Sequence, residues 1–600
     1  MRTETETGVK PEALAQRASI YSHHLDTLPS MVNTQQSQHS FGFKYGLLIL
    51  PAVSIIAMNG LRATASDRHI FTHHSDRTYS ESLIVQTPNP VPDPQPPVNR
   101  TQVRAIKVID STVFSENDFN QAVQSFVGQN LTPEEILKVA DAVTQLYLNK
   151  GYLNSRAIPD PQQPSADGVL TIRVIEGRLS EIDIEGARRV NPSYIRSRIK
   201  LGAGVPLSAN KLEEQLKLLR QDPLFENVEA SLRPTGKFGQ SILIVRVQEA
   251  KSFISSFGID NYSPPSIGAE RSVIELRERN LTGMGDEIAG VYYRSFSGGS
   301  DVYDFSYQIP VNAMNGKVQV RAALNRNQIT ESPFKDLDIR ADQDLYEINY
   351  RQPLIRSPRK EFALSLGFAY QDGQTFIFDR LATPFGIGPD ENGVSRTSVI
   401  KFGQDYITRD PQGAWLLRSQ FSFGLDILDA TINDDPIPDG QFFSWLGQVQ
   451  RVQRLSEDHL LLIQADLQLT PDSLLPAQQF VIGGAQSIRG YRQNIRSGDN
   501  GFRFVVEDRM TVQRDESGSP IIQLAPFLDL GAVWNQSDNP NKLPRQTFLV
   551  GAGLGFLWNQ ALGIDHLSLR LDYGIPFIDL SDRGNNAQDD GFYFSLRYQP

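Results

Sequence analysis

From about residue 253 to Tyr598, apolar and polar positions alternate in one segment after another. In Phe362-Ala363-Leu364-Ser365-Leu366-Gly367-Phe368-Ala369-Tyr370 the large apolar groups fall on one face and the small ones on the other. Leu461, Ile463, Ala465, Leu467 and Leu469 alternate with Gln464, Asp466 and Gln468, and Leu567 to Tyr573 repeats the pattern. A period of two belongs to a strand whose faces meet different surroundings. At ~10 residues per strand and about as many per connection, the span accommodates roughly 16 strands. One such strand does not say which face turns inward, because a soluble sandwich alternates too. Many of them, separated by polar loops and without helices, predict a transmembrane antiparallel β-barrel over 251–600.

Upstream the period changes. Between 103 and 249 a unit of strand, helix and strand occurs twice. In the first copy, 103–178, Val103-Arg104-Ala105-Ile106-Lys107-Val108 reads as a strand. Thr132, Pro133 and Glu135 supply N-cap, first-turn proline and capping-box glutamate for a helix with the apolar face Ile136, Val139, Val143, Leu146 and Tyr147. Gly151 ends the helix, and Val169 to Gly177 closes the copy as a strand. The second copy, 179–250, opens with Ile182-Asp183-Ile184-Glu185-Gly186, has a helix from about Asn210 carrying Leu212, Leu216 and Leu219, and closes with Ile242 to Glu249. Glu176 and Glu249 end equivalent strands, which marks a repeated α+β module.

Tyr45 to Ala57 is the apolar stretch near the N-terminus, too short and too interrupted by Pro51 for a spanning helix. With Lys44 before it and Ala63-Thr64-Ala65 after it, it reads as a secretory signal, so 1–65 is a leader. The polar stretch ahead of it is long, which makes Met31 an alternative start. Residues 66–102 form a linker containing the proline-rich run Pro88 to Pro97, an extended spacer that cannot pack a core. Its His69, His73 and His74 read as part of a solvated leader rather than a metal site. No later run reaches the length of a transmembrane helix, so a membrane-spanning mature chain has to close a barrel.

Lys and Arg total 58 against 69 Asp and Glu, a net charge of -11 with the acids scattered. Nucleic acid, which requires a basic stripe, is not an expected partner. The absence of cysteine excludes disulfides, thiolate catalysis and cysteine zinc sites. It suits an oxidising envelope compartment, though chance accounts for it nearly as well. The chain has no Gly-x-Ser-x-Gly elbow and no Walker loop, so no nucleotide is expected. Gly551-Ala552-Gly553-Leu554-Gly555 lies in an alternating strand, where its glycines make room in the lumen rather than cradle a phosphate. His459 and His566 are isolated in the sequence. No catalytic residue, metal site or cofactor follows, and the chain does not read as an enzyme.

Two short motifs carry the candidate chemistry: Ile488-Arg489-Gly490-Tyr491 in a run rich in Gly, Arg and Asn, and Phe527-Leu528-Asp529-Leu530-Gly531 about forty residues later. Together they suggest an ion pair between a loop arginine folded into the pore and a strand aspartate. Such a pair is costly to desolvate and is retained where it fixes a loop or gate. The alternative is a solvated arginine and an aspartate that never meet. The terminal strand Phe592 to Tyr598 carries Phe592, Phe594 and Tyr598 and ends in an aromatic, as barrel C-termini do; Gln599 and Pro600 follow it.

The two modules resemble polypeptide-transport-associated (POTRA) repeats. With the barrel and the arginine motif, residues 103 to 598 resemble the outer-membrane transporters of two-partner secretion, the hemolysin secretion/activation family. Asp260-Asn261-Tyr262 and the run Glu275 to Asp286, with Asn280, Gly283, Gly285 and Asp286, look like that family's first hairpin. The resemblance implies that the sixth extracellular loop folds inward with Arg489 against Asp529. It also implies periplasmic modules that bind an unfolded exoprotein, export of that partner through the barrel, and a wall in contact with outer-membrane lipid. Members often begin with an amphipathic plug helix, and residues 66–87 show no matching 3.6-residue apolar stripe. The nearest alternative is an assembly factor of the same superfamily, which inserts other barrels and usually carries more than two modules. A passive porin would leave both modules without a task.

Overall fold

Thr132, Pro133 and Glu135 start a helix as their order predicts: the Thr132 hydroxyl accepts from the Glu135 amide while the Glu135 carboxylate accepts from the Thr132 amide. In the computed structural model, which describes residues 100–161, 167–378 and 380–600, this helix is α2 (Pro133–Asn149), preceded by α1 (Glu116–Val123). Val139, Ala140, Val143 and Tyr147 of α2 are buried, and Ile136 and Leu146 pack at the edge of the same core. That core lies against Val169–Ile175, which pairs parallel with Ala105–Ile109 and antiparallel with Arg156–Pro159. The expected first strand thus begins two residues late. Val103 is buried, but its amide bonds to the carbonyl of Gln129, in the segment between α1 and α2, rather than into this sheet. The leader, most of the proline-rich linker and the plug-helix question lie outside the described residues.

The second module repeats the plan with Gln240–Glu249 between Arg178–Glu185, parallel, and Phe225–Pro234, antiparallel. Its helices are α3 (Pro192–Lys200) and α4 (Ala209–Arg220). The nine-residue α3, absent from the sequence-based expectation, follows Asn191 as N-cap and begins with Pro192. The repeat extends to single atoms. Glu176 receives the amide and hydroxyl of Thr112, at 2.8 and 2.7 Å. Glu249 receives the amides of Arg188, Arg189 and Val190, at 2.8 to 2.9 Å. Each carboxylate ends the central strand and fastens the loop that leaves the module's first strand. Leu207 ties the modules together: its carbonyl accepts from Leu153 and its amide donates to Gly177, at 2.8 and 2.7 Å.

Burial raises the proton affinity of Glu249, but the Val190, Arg188 and Arg189 amides outweigh it and hold the carboxyl below its ordinary value. A carboxyl depressed by folding stabilises the module fully above its unfolded value and progressively less as pH falls through its folded value. Amide protection factors at 188–190 are therefore expected to be constant from neutral pH to the ordinary carboxylate range and to fall below it. In Glu249→Gln they should be low already at neutral pH. Hydrogen exchange that ignores both pH and the substitution would contradict this.

Residues 251–600 form a closed antiparallel barrel. It runs from a first strand, Phe253–Asp260, to a sixteenth, Phe592–Tyr598, with Leu381–Ala382 as a two-residue appendage on the seventh. The last strand returns to the first through four residue pairs, Ser595↔Asp260 to Tyr598↔Phe257. Asn261 extends this short seam, its side-chain amide donating to the Phe592 carbonyl and accepting from the Phe594 amide at 3.0 and 2.9 Å. Closure leaves no sheet edge, the condition for backbone in a membrane.

The side chains settle which face is which. Leu366, Ile348 and Phe305, 59, 51 and 54% exposed, point outward. The inward positions hold Arg321 against Asp304, Arg503 against Asp466, and small residues such as Ala363 and Ala369. A soluble fold turns the other way round, so this is a wall solvated by lipid outside and polar inside. Among the described residues no helix is long and apolar enough to cross a membrane.

Candidate functional site

Residues 470–499 connect the eleventh strand (His459–Leu469) to the twelfth (Asn500–Arg514), as the sixth connection at the end with the long loops. The loop does not extend away from the barrel. Phe480–Ile482 and Arg496–Gly498 form an internal hairpin, and Phe480, Ile482, Ile488, Tyr491 and Ile495 gather into an apolar core with Val533 and Leu549 of the wall. This packing places Arg489 in the lumen.

Asp529 on the thirteenth strand (Pro520–Trp534) is 0% exposed and holds the guanidinium with two parallel bonds, Nε to Oδ2 at 2.7 Å and Nη2 to Oδ1 at 2.9 Å. Its Oδ2 also accepts the Arg489 amide at 3.0 Å. The Phe527 ring lies under the guanidinium with the centroid 3.4 Å from Cζ. Only a hydrogen fits at 531: a Cβ there would stand 2.5 Å from the Phe502 carbonyl oxygen and 2.7 Å from Ile488 Cδ1, so Gly531 makes room for the neighbouring strand and the loop. The three inward positions of the Phe-x-Asp-x-Gly segment therefore stack, pair and yield space. Bidentate geometry orients the arginine as well as neutralising it.

Gly490 has φ +101°, and a Cβ there would meet Pro576 N at 3.0 Å. Opposite it, a side chain on Gly551 would strike the Arg489 carbonyl, and one on Gly574 would lie 2.6 Å from Gly490 N. The glycines at 551 and 574 are thus the seat for the loop backbone. Tyr491 adds a hydroxyl bond to the Val550 carbonyl at 2.8 Å.

Several members of the site escaped the sequence reading. Glu507 of the twelfth strand accepts from Arg489 Nη1 at 2.7 Å, and Asp572 lies 3.4 Å from the same nitrogen. Arg509 and Arg570 hold Glu507 from other sides, each at 2.8 Å, and Arg570 also binds Asp572. Tyr593 in the last strand receives the Gly490 amide at 2.9 Å and donates to the Tyr491 carbonyl at 2.6 Å. One signal was present: Tyr593 is a large aromatic at an inward position otherwise taken by Ser595 and Arg597. Two further loop arginines fasten neighbouring loops, Arg492 to Glu331 and Asp589, and Arg496 to Asp582.

The other predicted residues do not join this site. Asn280, Gly283, Gly285 and Asp286 build the turn after the second strand (Arg271–Arg279). Asn280, at φ 59°, accepts the Gly285 amide, and Asp286 accepts the Thr282 amide. Gly283 and Gly285 both have positive φ there. Phe592, Phe594 and Tyr598 alternate with inward Tyr593 and occupy the outer face of the last strand. His459 meets Asp508 at 2.8 Å. Among the described residues, no group of three or more His, Cys, Asp or Glu is arranged to hold a metal ion.

Residues 239–557 match the family described as haemolysin secretion/activation protein ShlB/FhaC/HecB, and 101–177 match the POTRA domain of ShlB type. The chain belongs to the ShlB/FhaC/HecB family. Membership makes it an outer-membrane secretion protein with POTRA sequence ahead of the barrel, on the periplasmic side. This ShlB/FhaC/HecB protein is 24% identical to the outer membrane transporter CdiB of Escherichia coli over 491 residues, 79% of each chain. It is 21% identical to the heme/hemopexin transporter protein HuxB of Haemophilus influenzae over 470 residues, 76% of this chain and 80% of that one. The solved structure of CdiB from Escherichia coli has the same fold, with a TM-score of 0.63 at 22% identity over 86% of this chain and 93% of the other.

Proposed function

We propose that this ShlB/FhaC/HecB-family protein exports a partner exoprotein across the outer membrane, with the Arg489 loop, seated in the resting barrel, as the element that controls passage. The observation carrying this reading is the sixth loop folded into a polar lumen and fastened there by a bidentate pair. A loop held this firmly, in a barrel preceded by periplasmic modules, fits regulated passage of a chain better than passive diffusion.

The exoprotein arrives unfolded in the periplasm and adds an extended segment to an edge of a module sheet, where backbone hydrogen bonds recognise it with little dependence on side chains. The ten-residue strand Phe225–Pro234 lies at the edge of the second module's sheet and supports this. The partner then crosses the lumen, and its folding outside makes transport directional without nucleotide. Outer-membrane lipid surrounds the wall, nucleic acid and nucleotide are not partners, and Arg489, Asp529 and Glu507 act by holding the loop, not by catalysis.

The test is to express the protein in a Gram-negative envelope with its exoprotein and assay the medium. Export that depends on this chain is the expected result. An exoprotein left behind while other barrels fail to assemble on depletion would instead indicate an assembly factor.

A further inference from the structure

The wall around Arg489 is a receptor for a guanidinium, assembled from residues that do not depend on the loop. Asp529 supplies a two-toothed carboxylate and Phe527 a ring beneath the planar cation. Glu507 supplies a second carboxylate, held in place by Arg509 and Arg570, and Arg570 also fixes Asp572. All these groups stand on the twelfth, thirteenth and fifteenth strands of a closed ladder. Removing the loop leaves their mutual contacts intact.

The charges count in the same direction. With Arg489 seated, three arginines face three carboxylates; without it, two arginines face three. An exposed socket carries one net negative charge and a vacant stacking ring. A low-dielectric wall penalises such an uncompensated charge, so the loop leaves more readily when another monocation of the same shape arrives. A polypeptide crossing the lumen passes the place the loop occupies, and its arginine side chains are that chemistry.

Resting on the transport reading above, we propose that the Asp529 socket is a guanidinium-binding site which an arginine of the transiting chain enters in exchange for Arg489, keeping the loop withdrawn. Between the side chains the exchange makes and breaks equivalent bonds, two to Asp529 and one to Glu507; the Arg489 amide leaves Asp529 with the loop, and no proton is transferred. A lysine satisfies neither the parallel bonds nor the stacking in the same way.

The experiment records channel currents of the full-length protein in planar bilayers while acetyl-arginine amide or acetyl-lysine amide is added. The arginine amide is expected to raise the open fraction saturably, at about tenfold lower concentration than the lysine amide, the preference expected of a planar fork over a point charge. Asp529→Asn should abolish this difference; if it fails to insert, Phe527→Leu, which retains every charge, should narrow it. In Arg489→Ala, the arginine amide should raise the thermal midpoint and the lysine amide should not. Equal responses to the two amides, or selectivity that survives Asp529→Asn, would overturn the socket. Export of the exoprotein is measured in parallel: intact export without amide selectivity overturns the socket alone, whereas selectivity without export overturns the transport reading.

Discussion

Arg489→Ala is expected to abolish export while leaving the barrel folded and inserted. The arginine contributes two bonds to Asp529 and one to Glu507 with its side chain 4% exposed, and its loss leaves both carboxylates without their common partner. Removing one member of a buried ion pair costs about 3–5 kcal/mol, and even the lower figure shifts a seated-to-unseated ratio more than about 100-fold. The cost falls on the loop, because the wall strands pair with one another through an independent ladder. Asp529→Asn should behave similarly, losing the charge but not the space. Exoprotein in the medium and heat-modifiable mobility of the purified barrel measure the two quantities separately. Normal export by a correctly inserted Arg489→Ala protein would show that seating the loop has no part in transport.

Gly574→Val is expected to have an effect of the same size without touching a charge. A Cβ at this position would stand 2.6 Å from Gly490 N and 2.8 Å from Arg489 C, and both are backbone atoms that cannot rotate away. The strand itself tolerates valine, since Gly574 is not among the residues with positive φ and β-branched residues suit a pleated wall. The loop is therefore expelled by steric conflict while Arg489, Asp529 and Glu507 are all present. The chain has no cysteine, so one introduced by Ser487→Cys is a unique label in the loop. It should react slowly in the parent, where Ser487 is buried, and rapidly after Gly574→Val. Slow labelling together with intact export would mean that the seat accommodates the side chain.

Thr132, Pro133 and Glu135 announce α2 because capping is local: every bond involved lies within three residues. Alternation in Phe362–Tyr370 announces a wall strand because neighbouring side chains on a strand point to opposite faces whatever surrounds them. α3 was missed because its nine residues, with three basic side chains, carry only a short apolar face: Tyr194, Ile195 and Ile199, with buried Arg198 lying over the Tyr194 ring. Arg489 and Asp529 stood out through their short motifs, whereas Glu507, Asp572 and Arg570 look like any other inward polar residues of a barrel. Nothing near them in the chain marks them, because what selects them is register across four strands.

By itself, then, the sequence determined what is encoded locally or periodically: two repeated α+β modules, a wall of about sixteen strands and an arginine motif suited to a buried pair. Only the tertiary structure decided which strand face meets lipid, how the ring closes through Asn261, and which carboxylates share Arg489. The reason is physical. Capping and pleat depend on residues within a few positions of each other, whereas charge sharing depends on groups 18 to 83 residues apart and closure on groups more than 300 apart, brought together by the closed ladder.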